Sequence, residues 1–208
     1  MKKEPGKVCI YIYEQTEKEK AHELLYHAVE DYLKGQGVLM PNRKLLEIAR
    51  TEKGKPYFPK YPEIQFSISH SGDYWACAVA QCAVGMDLQE HVRLKNETRE
   101  QAAVRFLKMA RRFFHPREAK YVEADCYEHF FAVWTAREAY VKFTGQGIDR
   151  EFSEICILSL EENPDKREWR ALEKWFSRID FCGNYTLCVC TEEQCEYTVI
   201  DCCNRTLK

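Results

Sequence analysis

Phe66, Ile68 and His70 alternate with Ser67, Ser69 and Ser71 before the turn signal Ser71-Gly72-Asp73, a period of two that predicts a strand. Trp75 to Val79 is a short apolar run, and after Gln81-Cys82 the alternation resumes from Val84 to Leu88, so the segment predicts three antiparallel strands in a meander. Upstream, Val8 to Tyr13 reads as a strand and Glu17 to Leu33 as an amphipathic helix, with Ala21, Leu24, Leu25, Ala28, Val29 and Tyr32 at helical spacing. Gly35-Gln-Gly37 stops that helix. A short helix near Arg43 to Ala49 precedes the turn-rich stretch Gly54 to Pro62. Helices follow over Glu97 to Arg112 and Tyr127 to Phe143, the latter ended by Gly145-Gln-Gly147. Strands are expected near Ile155 to Leu160, Trp175 to Asp180, Tyr185 to Thr191 and Glu196 to Cys202. Strand, helix and strands are thus followed by a similar order of helices and strands, which predicts an α+β fold of two similar lobes, 1–91 and 92–208.

Two segments place polar groups where these patterns call for core. On the strand from Val84 to Leu88, Val84, Met86 and Leu88 share one face, so Gly85, Asp87 and Gln89 share the other. That face either holds a cation or is the solvated side of a sheet. On the helix from Tyr127 to Phe143, Phe130, Trp134, Glu138 and Lys142 form a single i+4 row. The carboxylate and ammonium there are either an ordinary surface pair or part of a site.

Composition narrows the class. At 208 residues the chain can build one sizeable core or two small lobes, and a net charge of -2 gives no general drive toward nucleic acid or membrane. Tyr74 to Met86, the longest uncharged apolar-rich stretch, falls short of the ~20 residues a membrane span needs. Val8 to Tyr13 is too soon interrupted by Glu14 to serve as a signal-peptide core, so a cytoplasmic protein is expected. Eleven cysteines include six between 182 and 203 but no C-x-x-C pair. Cys188 and Cys190 lie in an alternating strand-like run and read as small buried hydrophobes in preference to zinc ligands.

Gly54-Lys55-Pro56, Ser67-Ile-Ser-His-Ser71, Gly85-Met-Asp-Leu-Gln89, Trp134-Thr-Ala-Arg-Glu-Ala-Tyr-Val-Lys142 and Gly145-Gln-Gly147 occur in the order and spacing of the 4′-phosphopantetheinyl transferases. The chain resembles the Sfp-type members over about residues 53 to 148. The resemblance implies two pseudo-twofold-related lobes, each an antiparallel sheet packed with a long helix, with coenzyme A bound between them and a monomer as the working unit. It implies transfer of 4′-phosphopantetheine from coenzyme A to a serine of an acyl or peptidyl carrier protein. Asp87, Gln89 and Glu138 would be the magnesium ligands, Glu138, Lys142 and Asp87 the catalytic groups, and Lys55, Ser69 and His70 the coenzyme A contacts. His70 alone reads equally as a strand-end histidine.

Two departures stand out. Gln89 replaces a second acidic ligand, and Glu23, in Ala21-His22-Glu23, stands where the family has an arginine for the 3′-phosphate. Either Lys18, Lys20 or Arg50 supplies that contact or it is missing. The alternative is a protein of the same fold that binds coenzyme A or a carrier without turnover. Residues 92–120 carry nine lysines and arginines against three acids, interleaved with Phe106, Leu107, Phe113 and Phe114. This segment is either a docking face for an acidic carrier protein or a solvated helix surface.

Overall fold

Which face of each strand is apolar decides the layering. The computed structural model describes residues 5–14, 21–39, 43, 46–147, 153–158 and 167–203. Strand β1 (Gly6–Glu14), helix α1 (Ala21–Gly35), the short pair β2 (Ala49–Arg50) and β3 (Pro56–Tyr57), and strands β4 (Gln65–Ser71), β5 (Tyr74–Ala80) and β6 (Val84–Glu90) come first. Helices α2 (Arg99–Phe113), α3 (Pro116–Ala124) and α4 (Glu128–Thr144) follow, then β7 (Glu168–Ala171), β8 (Lys174–Ile179), β9 (Tyr185–Thr191) and β10 (Cys195–Asp201). The first sheet runs β10-β1-β5-β4 and the second β6-β9-β8-β7.

On β1 and β5, Tyr11, Tyr13, Trp75, Cys77 and Val79 pack under α1 against Leu25, Ala28 and Val29. The alternate residues Val8, Ile10, Ile12, Ala76, Ala78 and Ala80 turn the other way, onto Val84, Met86 and Leu88 of β6 and Leu187 and Val189 of β9. The outer face of the second sheet, with Phe176, Cys188 and Cys190, packs under α4 and its neighbours. Four layers result: α1, two sheets, and the α2–α4 group. Burial of these apolar faces is the main stabilising term. The core positions of Cys188 and Cys190 follow the alternation, as expected.

Three sequence expectations are corrected. The meander does not form: β5 pairs with β4 and β1, while β6 pairs with β9. Residues 81–83 carry the chain into the other layer, because β6 buries both faces, Met86 against the first sheet and Gly85 and Asp87 under α4. A strand on the edge of a meander could not do so. Residues 46–48 are irregular and 49–50 form β2, so the short helix expected over 43–49 does not extend there. Residues 155–158 are not a strand; their backbone instead serves a buried ion pair described below. The expected helix start at 17–20, and Lys18 and Lys20, lie outside the described residues.

Both sheets cross the expected boundary at residue 91. β6 joins the second sheet, and β10 adds parallel to β1 in the first. Within each sheet the same unit recurs: strand, helix, then a hairpin whose second strand pairs with the first, giving β1-β5-β4 and β6-β9-β8. Among the described residues no helix is long and apolar enough to cross a membrane.

Candidate active site

Gly85 fixes how closely β6 lies against α4. A Cβ at this position would collide with Ala139 O and with the backbone N and Cα of Phe143. Glycine is therefore required by the close approach of strand and helix backbones. That approach brings Asp87, two residues along the same face, beside Glu138 and Lys142 on α4.

Asp87 is buried at 6% exposure. Its Oδ1 accepts from Ser69 Oγ at 2.7 Å and from Lys142 Nζ at 2.7 Å. Its Oδ2 is buried with no hydrogen-bond partner. The solvated-face reading of Asp87 is thereby excluded, and so is the reading of Lys142 as an ordinary surface partner of Glu138. Glu138 is half buried, and its carboxyl pKa is raised, chiefly by desolvation and then by the Asp87 carboxylate, against the lowering influence of Lys142 and Arg137.

The serines of β4 form a seam between the sheets. Ser67 Oγ accepts from Met86 N at 2.9 Å, Ser71 Oγ accepts from Glu90 N at 2.8 Å, and Ser69 reaches Asp87 between them. Hydroxyls thus satisfy β6 donors that no strand on that side pairs. Gln89 is half buried, and its Nε2 donates to Glu90 O at 3.2 Å.

Beside this centre lies a cleft of about 480 Å³, lined by α1, the β2–β3 segment, β4 and the C-terminal end of α4. His22, Arg50, Lys53, Lys55, His70 and Lys142 line it, and no acidic side chain does so among the described residues. Lys55 Nζ donates to Phe143 O at 2.6 Å, which ties the β2–β3 segment to α4. Burial lowers the Lys55 pKa. Gly145, left-handed at φ 69°, caps α4 through its N–H to Val141 O at 2.8 Å and lies under the Lys55 stem. His70 is exposed on the cleft wall, whereas Ser69 faces away from it toward Asp87. Glu23 is exposed on the first turn of α1 and does not line the cleft.

The model of the 4′-phosphopantetheinyl transferase superfamily matches residues 83–190, a span that runs from β6 through α4 to β9 and so contains Asp87, Glu138 and Lys142. The chain belongs to that superfamily. A 4′-phosphopantetheinyl transferase of Bacillus subtilis is 33% identical over 111 residues, 51% of this chain and 44% of that protein. The 4′-phosphopantetheinyl transferase gsp of Aneurinibacillus migulanus is 29% identical over 113 residues, 52% of this chain and 42% of its own length. The 4′-phosphopantetheinyl transferase HetI of a Nostoc species is 33% identical over 133 residues, 58% and 52% of the two chains. The match therefore spans about half the length of these relatives.

Within this family member, the resemblance marks Asp87, Glu138 and Lys142, which the structure brings together, and Lys55 and His70, which share the cleft. It does not mark His22 or Lys53. The Lys53-Gly54-Lys55 turn, with a left-handed Gly54 at φ 92°, is the signal that could have found Lys53. Nor does spacing reveal that Arg137, next to Glu138, is fully buried against Glu118. Glu118 also accepts from His115 N and Ile157 N, while Arg137 donates to Ile155 O. This network fixes the turn of α4 that presents Glu138.

Proposed function

We propose that the protein transfers 4′-phosphopantetheine from coenzyme A to a serine of an acyl or peptidyl carrier protein, releasing adenosine 3′,5′-bisphosphate. The observation that carries this reading is a cleft lined by six cationic or cation-forming side chains and, among the described residues, no acid, with Lys142 on its wall bonded to Asp87 of the carboxylate pair. Such a cleft suits a ligand with several phosphates, and the adjoining carboxylates suit a reaction at one end of it.

His22, Arg50, Lys53, Lys55 and His70 would hold the phosphates of coenzyme A, with Arg50 and Lys53 replacing the arginine that Glu23 displaces. Phe66, Trp75 and Ile48 give the cleft an apolar wall suited to the adenine base. The carrier serine attacks the β-phosphorus as the bond from that phosphorus to the bridging oxygen breaks. Glu138 takes the serine proton, and its raised pKa suits it to that role. Lys142 offsets charge on the reacting phosphate.

The carboxylates also fit a divalent cation. Asp87 Oδ2 is a buried oxygen without a partner, Glu138, its pKa raised by burial and then by the Asp87 carboxylate, lies beside it, and Gln89 would add a neutral oxygen. Among the described residues no group of three or more histidine, cysteine, aspartate or glutamate side chains is placed to hold a metal. The fit is thus to a hard ion such as magnesium, which takes only one or two carboxylates and fills its shell with phosphate and water. Magnesium bound there would supply neutralisation of pyrophosphate charge.

The carrier would dock on α2, where exposed Val104 and Phe113 are flanked by Lys108 and Arg112 around a groove of about 370 Å³. A basic rim around an apolar groove suits an acidic helical partner. The recurring strand–helix–hairpin unit supports two lobes related by a pseudo-twofold axis, acting as a monomer.

Incubation with coenzyme A, magnesium and a panel of apo carrier proteins, followed by intact mass measurement, tests the reaction. A phosphopantetheine gain on a carrier that is absent with Glu138→Gln is expected. Retained coenzyme A binding with no gain on any carrier would replace the enzyme by a binding protein of the same fold.

A further inference from the structure

The two connections that carry the chain from one sheet to the other meet at a pair of thiols. Residues 81–83 lead from β5 into β6, and residues 192–194 lead from β9 into β10. Cys82 sits in the first connection, and Cys195 opens the strand after the second. Their sulfurs are 3.8 Å apart. Gly6 pairs with Cys195 across the β1–β10 ladder, and a Cβ there would come within 3.2 Å of Cys195 Sγ and 3.6 Å of Cys82 Sγ. The missing side chain leaves room for both sulfurs.

Access and reactivity agree with this placement. Cys82 is half buried and Cys195 is 6% exposed, and both line an open pocket of about 510 Å³ together with Pro5, Lys7, Gln36 and Glu193. The hydrogen bond between the thiols lowers the Cys195 pKa to about 7, against the opposing effect of burial, and with desolvation raises that of Cys82, so Cys195 carries the thiolate and Cys82 the proton. A thiolate is the form that attacks a disulfide. Closing the sulfurs to the ~2.05 Å of a bond moves each by about an ångström, within the reach of side-chain rotation at a bend and at the first residue of a strand.

We propose that Cys82 and Cys195 form a reversible disulfide by exchange with a small-molecule disulfide, stapling together the two connections between the sheets. In the first step the thiolate of Cys195, which accepts the hydrogen bond of Cys82, attacks one sulfur of a small disulfide held in the pocket, and one small thiolate leaves. In the second, Cys82 gives up its proton, attacks Cys195 Sγ and expels the other. Two protein thiols are oxidised, one small disulfide is reduced to two thiols, and the two protons pass to the departing thiolates. The bond closes a loop of more than a hundred residues, the kind that most restricts the unfolded chain. It also pins the entry to β6, five residues before Asp87. This reading does not depend on the transferase reaction.

The test equilibrates fully reduced protein in glutathione buffers of rising oxidised fraction. Free thiols are then alkylated and the protein mapped by mass spectrometry without reduction, with Cys82→Ser and Cys195→Ser in parallel. The first cross-link is expected between the Cys82 and Cys195 peptides, with two alkylatable thiols lost per chain. Tm should rise by on the order of 10 °C in the same buffers, and neither change should occur in the variants. A first cross-link between other cysteines overturns the proposal. So does a glutathione adduct that persists on Cys195 while Cys82 remains alkylatable, or a bond that leaves Tm unchanged. Mapping the unsubstituted protein decides the matter even where a variant misfolds.

Discussion

Ser69 Oγ donates to Asp87 Oδ1 at 2.7 Å, and this bond joins β4 to β6 where no backbone ladder does. Ser69→Ala removes a buried hydrogen bond to a charged group, an interaction of about 1.5–3 kcal/mol. Urea unfolding should show a loss of that size at neutral pH. A loss under 0.5 kcal/mol would mean that Lys142 alone satisfies the carboxylate.

Gly85→Ala should be among the most damaging substitutions in the chain. The added Cβ meets backbone atoms of Ala139 and Phe143, which cannot rotate away, so the cost exceeds the ~1–3 kcal/mol of ordinary overpacking. Gly35→Ala, where a Cβ meets nothing within 4 Å, should change stability by less than about 1 kcal/mol. Thermal unfolding of the two variants side by side checks the contrast.

Glu138 carries a folded-state pKa above its usual 4.5. Its proton is held more tightly in the folded chain, so its contribution to stability is fully present below pH 4.5 and is lost as pH rises through the folded value. Glu138→Gln should therefore gain stability relative to the parent as pH rises through that window, and none below it. In the transferase assay the same group, as a base, should make kcat/KM fall as pH drops through the raised pKa. Denaturant unfolding across pH 3.5 to 7.5 and the pH–rate profile read the two signs independently.

Lys108→Glu should raise the KM for a carrier protein several-fold with kcat unchanged, because Lys108 is exposed at the rim of the α2 groove. Arg105 is the poorer probe, since both its Nε and Nη2 are engaged by Glu97 at 2.9 and 2.7 Å. An unchanged KM at low and moderate salt would remove α2 as the docking face.

Coenzyme A affinity should fall with ionic strength, and Arg50→Ala with Lys53→Ala should flatten that dependence. Isothermal titration at 50 and 300 mM salt measures it. A slope that is the same in parent and variant would place the phosphates elsewhere.

Local pattern carried most of the elements. The period of two on β4, β6 and β9 and the glycine stops after α1 and α4 are written in adjacent residues, and so is the shared face of Gly85, Asp87 and Gln89. What it could not carry was partner choice. Nothing around Val84 says that β6 pairs with β9, because that preference arises from burying both faces at once. Strand β7 escaped notice because its turn to β8 uses Leu172 and Glu173, both left-handed at φ 52° and 59°, without the Asn or Gly that marks such turns. Helix α3 is short, and its cap is His115 in place of the usual Ser, Thr, Asp or Asn. In the site, the i+4 row showed Glu138 and Lys142 on one face, but the bond from Lys142 to Asp87 required the packing that only Gly85 permits.

The parallel ladder of β1 with β10 sets Gly6 against Cys195, nearly the whole chain apart. Closing so long a loop costs entropy that only the contacts formed afterwards offset, so this pairing is expected to follow assembly of both hairpins. The same strand is the natural first place for the native fold to open, and amide exchange along β10 should report that opening while β5 and β9 remain protected.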